Sequence, residues 1–155
     1  MQSPLAPVLA EEVSLVERFI TLLEEEQRVL KEARADALAE LSARKAEVAD
    51  QLNLVGKRRN QALAQAGFAA DRPGMRSWLA KYPTDRQTGL AWTQLLKLAA
   101  KAQEITRLNG QLLALHLQVT QQALATLTQQ AQAGALYGPT GHQSQITGNR
   151  IIDSV

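Results

Sequence analysis

Large apolar residues recur every three or four positions between about residues 86 and 133. This spacing places them on one face of a single long helix. Four of them lie seven residues apart, which is typical of a coiled-coil seam. The face consists of Leu95, Leu98, Ile105, Leu108, Leu112, Leu115, Val119, Ala123 and Leu127.

A second pattern of this kind predicts a long first helix over about residues 8–66. Its other face is heavily charged, and this stretch contains no proline and a single glycine, Gly56. The apolar spacing loosens near Gln27 and Arg34, which we interpret as a stutter or kink within a continuous helix. Gly67 is expected to end this helix, because glycine adopts the left-handed capping conformation at little cost.

The connector, residues 67–85, carries a proline–glycine turn signal and then several aromatic residues. We expect a short helix here, in which Trp78 forms a small aromatic plug with Trp92. Pro83 should end this helix, and Thr84 or Asp85 should cap the next one.

The predicted fold class is therefore all-α. We expect an elongated antiparallel helical hairpin, or coiled coil, over residues 1–133 with a short connecting helix. The composition changes after Gly134, which is expected to close the long helix. Residues 134–155 are then expected to form a flexible partner-binding tail.

The charge pattern of the long helix is unusual, because no Asp, Glu, Lys or Arg occurs between Leu108 and Asn149. The polar positions of this stretch are mainly Gln and Thr, which cost little to remove from water. Two interpretations remain open. Either the helix is buried on two sides by its own chain, or this face packs against a helix that a partner provides.

Composition narrows the function classes. The 155 residues carry a net charge of +2, which is too balanced to favour nucleic-acid binding. There is no cysteine for disulfides or thiolate chemistry. The first residues do not resemble a signal peptide, and no apolar run is long enough to predict a membrane span.

No catalytic, cofactor-binding or metal-binding set is predicted. His116 and His142 are not spaced as metal ligands, and the basic run 57–59 is interpreted as a solvated helix face. Asn109 and Gly110 lie in the middle of the long helix. There we expect a helix-packing notch, in which Gly110 admits another backbone and Asn109 bonds across the interface.

Two short motifs resemble the FlgN family of flagellar type III export chaperones. They are ITRLNGQLL at 105–113 and LYGPTG at 136–141. The order of long charged helix, tryptophan-containing connector and second long helix is similar as well. The resemblance implies a cytoplasmic chaperone without enzymatic activity or cofactor. Its partners would be hook-associated proteins of the FlgK and FlgL type, bound through their C-terminal helices, and the export-gate protein FlhA.

The resemblance also implies where these partners bind. Clients would contact the second half of the long helix and the tail, and Tyr137 would dock at the gate. The apolar residues expected to hold a client are Leu112, Leu115, Val119, Leu124, Leu127, Ile146, Ile151 and Ile152. The three isoleucines would close over the bound client helix as a clamp.

A different class of function fits the same pattern. The neutral face could pair with itself in a homotypic structural coiled coil or adaptor that has no export role. The coiled-coil interpretation predicts a dimer at all concentrations, whereas the chaperone interpretation predicts a monomer or a weak homodimer.

Overall fold

The structure is a computed structural model that describes the backbone of residues 3–137 and the side chains of residues 3–134. This range contains four α-helices and no strand. They are α1 (Ala6–Lys31), α2 (Leu38–Gln65), α3 (Arg72–Lys81) and α4 (Arg86–Tyr137), with a 3₁₀ turn at Ala35–Ala37. The predicted all-α class is confirmed. Within these residues no helix has both the length and the apolar character needed to cross a membrane.

The chain divides into two compact units, Met1–Leu113 and Ala114–Val155. The first unit contains α1, α2, α3 and the first part of α4. Helix α4 runs through Gly134 to Tyr137, so the helix end predicted at about residue 133 was too early.

The predicted continuous first helix is wrong, because the chain reverses between α1 and α2. The backbone N–H of Arg34 donates to Val29 O at 3.0 Å, and that of Ala33 donates to Leu30 O at 3.2 Å. This pair of bonds is a Schellman motif, whose central residue adopts a left-handed conformation. Here that residue is Ala33, with φ of 55°. Since glycine normally occupies this position, the sequence carried no visible stop signal.

Gly67 ends α2 as predicted. It has φ of 83°, and the same two bonds recur, from Phe68 N to Leu63 O at 2.9 Å and from Gly67 N to Ala64 O at 3.0 Å. Two Schellman motifs therefore close the two long helices of the first unit, one built on glycine and one on alanine.

Two aspartates cap the N-termini of the following helices, α3 and α4. Asp71 Oδ1 accepts from Gly74 N at 2.7 Å at the start of α3. Asp85 Oδ1 accepts from Thr88 N at 3.3 Å at the start of α4, as predicted. Gly74 is sterically required, since a Cβ there would lie 1.7 Å from Ala69 O.

The connector aromatics pack together. The ring of Trp78 lies 4.6 Å from that of Tyr82 and 5.3 Å from that of Phe68. Trp92 was expected in the same plug. It is buried in the same core but is covered by the guanidinium of Arg59, 5.6 Å from its ring centroid.

Cross-helix contacts give the directions of the helices in the first unit. Ion pairs join Glu11 to Arg58 and Glu26 to Lys45, so α1 and α2 are antiparallel. The α1–α4 contacts pair Glu17 with Gln94 and Glu24 with Lys101, so these two helices run in the same direction.

Packing of α1 against α4 agrees with the prediction, but the antiparallel hairpin is formed by α1 and α2, the two halves of the predicted first helix. The shared core contains Leu9, Val13, Val16, Ile20, Leu23, Leu63, Met75, Trp78, Trp92, Leu95 and Ile105.

The left-handed conformation of Ala33 predicts that a glycine at this position stabilises the chain. Replacing it with glycine relieves a backbone cost of roughly 1–2 kcal/mol, partly offset by the greater freedom of glycine in the unfolded chain. Ala33→Gly should therefore raise the free energy of unfolding by about 1 kcal/mol in urea titrations.

The matched control is Ala46→Gly, at an exposed alanine in the interior of α2, which should lower the free energy of unfolding by about 1 kcal/mol. Equal losses in both variants would show that the reversal does not depend on a left-handed residue 33.

Candidate partner-binding surface

Five of the nine exposed large apolar side chains among the described residues lie on the part of α4 in the second unit. We call residues 114–134 the neutral segment, because it has no Asp, Glu, Lys or Arg. Its five large apolar side chains are all more than half exposed. They are Leu115 (56%), Leu117 (55%), Val119 (56%), Leu124 (58%) and Leu127 (61%).

Helical periodicity sorts this segment into two sides. At about 100° per residue, the five apolar side chains share an arc of about 200°. Small or polar residues, above all glutamines, occupy the remaining arc. They are Ala114, Gln118, Gln121, Gln122, Ala125, Thr128, Gln129 and Gln132. The segment is therefore amphipathic without being charged.

The predicted client-binding residues fall into three groups. Leu115, Val119, Leu124 and Leu127 are exposed on the neutral segment. Leu112 lies in the first unit and is half-buried. Ile146, Ile151 and Ile152 lie outside the described residues, as does the side chain of the predicted gate-docking residue Tyr137.

Sequence reasoning missed Leu117 and the neighbouring Leu113, which is 45% exposed. Both fall outside the a/d-type repeat that was used to find the face. Their spacing of four, and that of seven between Leu117 and Leu124, was a signal that could have revealed a second row of leucines.

Asn109 joins three helices of the first unit. It is 4% exposed, and its Nδ2 donates to Leu23 O and to Glu26 Oε1, both at 2.9 Å. The other carboxylate oxygen of Glu26 lies 2.6 Å from Lys45 Nζ. The network therefore links α4 to α1 and α1 to α2. A buried polar network of this kind fixes register, because any sliding of the helices would leave a buried group unpaired.

Gly110 does not form the predicted notch with another part of this chain. A Cβ at this position would meet nothing within 4 Å among the described residues. The close backbone approach expected there is absent from this range, and the glycine lies on an exposed side of α4.

A second charged pair lies at the other end of α1. Glu12 is buried and bonds to Arg59, which covers Trp92. Burial raises the pKa of Glu12 above its ordinary value, and the charge and hydrogen bond of Arg59 offset only part of this effect. The Glu12–Arg59 pair thus joins α1 to α2.

The described residues contain no cluster of three or more His, Cys, Asp or Glu side chains that could hold a metal ion. His116 lies half-buried on the neutral segment, with glutamines and leucines as its sequence neighbours. What the exposed surface offers is apolar contact area together with neutral hydrogen-bonding groups.

Comparison with known proteins gives two matches. A protein-family model described as FlgN protein matches residues 1–145. The fold is similar to that in a crystal structure from Pseudomonas aeruginosa at 1.48 Å resolution, whose assignment as a flagella synthesis protein FlgN is provisional. The two chains are 22% identical, with a TM-score of 0.64. The match covers 72% of this chain and 88% of the other. No curated protein matches.

Gly110 offers a test of whether this side of α4 is approached by a partner. Because there is open space around it, Gly110→Ala should raise the free energy of unfolding of the isolated chain by about 1 kcal/mol. Gly74→Ala is the matched control, and it should destabilise the chain, since its Cβ would overlap Ala69 O.

The informative result is the combination of stability and binding. A Gly110→Ala variant that is more stable and binds clients normally would show that no partner backbone needs this glycine. A stable variant that loses client binding would restore the predicted notch as a feature of the complex.

Proposed function

The chain belongs to the FlgN family, and on this premise we propose that it is a cytoplasmic flagellar export chaperone. In this role it binds hook-associated proteins of the FlgK and FlgL type, prevents their premature assembly and delivers them to the export gate. Family membership supports the flagellar chaperone role in general, while the clients and the delivery step are our proposal.

The observation that carries the proposal is the exposure of the neutral segment. Five large apolar side chains that are each more than half exposed, on a helical segment without Asp, Glu, Lys or Arg, are costly to leave in water. Covering each of them would contribute up to about 1–2 kcal/mol before ordering costs. An amphipathic client helix is a partner of the right chemistry, because it offers apolar groups with helical spacing.

The absence of charge determines how a client is recognised. Burying an Arg or Glu carries a large desolvation cost unless a partner charge compensates it, whereas burying Leu, Ala or Thr costs far less. The surface can therefore accept apolar helices that differ in sequence. Binding here should respond only weakly to salt, because no ion pair is formed.

Docking and release are assigned to residues beyond the described side chains. In our proposal Tyr137 contacts the gate protein FlhA, and Ile146, Ile151 and Ile152 close over the bound client helix. A gate contact at Tyr137 would then compete with the closed clamp, so that release needs no nucleotide.

The alternative is a homotypic coiled coil, and the same exposed leucines support it, since a second copy could cover them. Light scattering distinguishes the two. A structural dimer keeps its mass at all concentrations, whereas a chaperone is a monomer, or a weak dimer that a client C-terminal helix dissociates.

The exposed surface predicts the effect of polar substitutions. Leu115→Gln combined with Leu127→Gln should weaken binding of a FlgK-type C-terminal segment about tenfold or more, because each leucine loses its apolar contact with the client. Calorimetric titration measures this change, and glutamine preserves helix propensity.

The control is Leu90→Gln, at the opposite end of the same helix, where the side chain is 73% exposed. It should change the affinity less than about twofold. If Leu90→Gln weakened binding as strongly as the double variant, the neutral segment would not be the client site.

The proposed tail functions can be separated with two further variants. Tyr137→Ala should keep client affinity but lose docking to FlhA in a pull-down, because the apolar surface is intact. A chain ending at Tyr137 should bind the client more weakly, since the clamp isoleucines are removed.

Each variant serves as the control for the other. Equal client affinity in the truncated and full chains would remove the clamp and leave the surface in place. Unchanged FlhA docking by Tyr137→Ala would remove the proposed gate contact.

A further inference from the structure

The neutral segment and the residues that follow it are chemically alike. The segment exposes five large apolar side chains and has no Asp, Glu, Lys or Arg. Residues 138–149 also lack these four residue types, and Ile146, Ile151 and Ile152 follow in sequence. Contact between the two stretches would bury apolar groups on both sides and would remove little charge from water.

The four residues after the end of α4 carry a turn signal. They are Gly138, Pro139, Thr140 and Gly141, with proline in the second position and glycine in the fourth. This is the residue pattern of a type I β-turn. A turn at this place would direct the chain back along the helix that it has just left.

The residues after this turn signal are long enough to reach the far end of the neutral segment. From Tyr137 back to Leu115, a helix rising 1.5 Å per residue spans about 33 Å. Residues 142–155 can extend up to about 46 Å, at roughly 3.3 Å per residue. With that rise Ile146 comes level with about Leu127, and Ile151 comes level with about Leu115.

We infer that residues 142–155 fold back onto the neutral segment of the chain without client and cover its leucines. A client helix then has to displace them before they close over it. The same isoleucines would shield the surface when it is empty and hold the client when it is bound. The client step of this inference rests on the proposed chaperone function, whereas the contact in the free chain does not.

The covalent connection favours this occupant over a second copy of the chain. Residues joined to the segment by a short turn meet it at an effective concentration of about 1 mM, whereas a second copy meets it at the protein concentration. A contact with a dissociation constant of about 0.1 mM would therefore be closed about ten times as often as open. Micromolar protein would leave the same contact between two copies almost entirely open.

Two alanines provide a matched test, because the chain has no cysteine of its own. Ala123 and Ala125 are both exposed residues of the neutral segment. At about 100° per residue, Ala123 lies near the middle of the apolar arc and Ala125 lies about 160° away, among the glutamines. Ala123→Cys and Ala125→Cys therefore report on the two sides and leave every leucine in place.

Each cysteine is placed in two full-length backgrounds, the native tail and a tail in which Ile146, Ile151 and Ile152 are all replaced by serine. The rate of maleimide modification is measured without client, and light scattering gives the mass. With the native tail, labelling of Ala123→Cys should be slower by about threefold or more, in a species with the mass of one chain. Labelling of Ala125→Cys should differ less than about twofold between the two backgrounds.

Three results of this comparison would overturn the inference. One is a smaller difference than this at Ala123→Cys, which would show that the isoleucines do not cover the leucines. Another is equal slowing at Ala125→Cys, which would show general shielding. The third is slowing confined to a species with the mass of two chains, which would make a second copy the occupant.

A client measurement tests the displacement step. A FlgK-type C-terminal segment should associate faster with the serine-substituted tail, by about the factor seen in labelling, because the open fraction of the surface limits association. It should also dissociate faster, and by a larger factor, because the clamp is lost. An unchanged association rate would overturn displacement.

The two readouts separate this inference from the proposed function. Protection of Ala123→Cys in a chain that binds no client would refute the chaperone proposal and leave the contact in the free chain standing. Client binding without such protection would overturn the inference and leave the client surface in place.

Discussion

A single left-handed alanine makes the first half of the chain fold as two antiparallel helices instead of one long helix. Ala33 lets α1 stop at Lys31 and the chain reverse into α2. Without this reversal, one long helix would follow the apolar pattern and could cover only one side of α4. With it, two helices of 26 and 28 residues both contact the first part of α4, α1 through Glu17 and Glu24 and α2 through Arg59. The reversal therefore sets how much of α4 is buried within the first unit.

Buried polar groups fix the alignment of these helices. Glu12 with Arg59, and Glu26 with Lys45 and Asn109, lie two heptads apart along α1. Leucine and alanine interfaces tolerate sliding, because one apolar contact resembles the next. Sliding by one turn would separate both polar groups at once, at a cost of several kcal/mol. Charge is thus used for alignment in the first unit, and it is absent from the neutral segment.

Much of the helix order could be predicted from residues that have one usual role at helix ends and from the apolar periodicity. Gly67 and Asp85 have well-defined roles at helix ends, and the periodicity of residues 86–133 placed α4 correctly. The chain reversal could not be predicted, because the left-handed residue that ends α1 is usually a glycine and here is Ala33. The close backbone contact that Gly110 suggests is not made by the described residues, so it stays a prediction about a partner chain.

The candidate surface was predicted in part for a related reason. A heptad pattern finds only the leucines at its a and d positions, so Leu117 was overlooked. Among the described residues, no other part of the chain covers these side chains, which the sequence alone could not show. Only tertiary structure could supply that information, because the residues that cover an apolar face are distant in sequence.

The lack of charge also determines which physical conditions the exposed part of α4 responds to. After Arg107 the only charged side chains other than histidine are Arg150 and Asp153. Attraction between apolar surfaces weakens on cooling, whereas ion pairs respond mainly to ionic strength. A complex held by residues 114–134 would therefore loosen in the cold and persist in concentrated salt. Temperature, more than ionic strength, would therefore limit this contact.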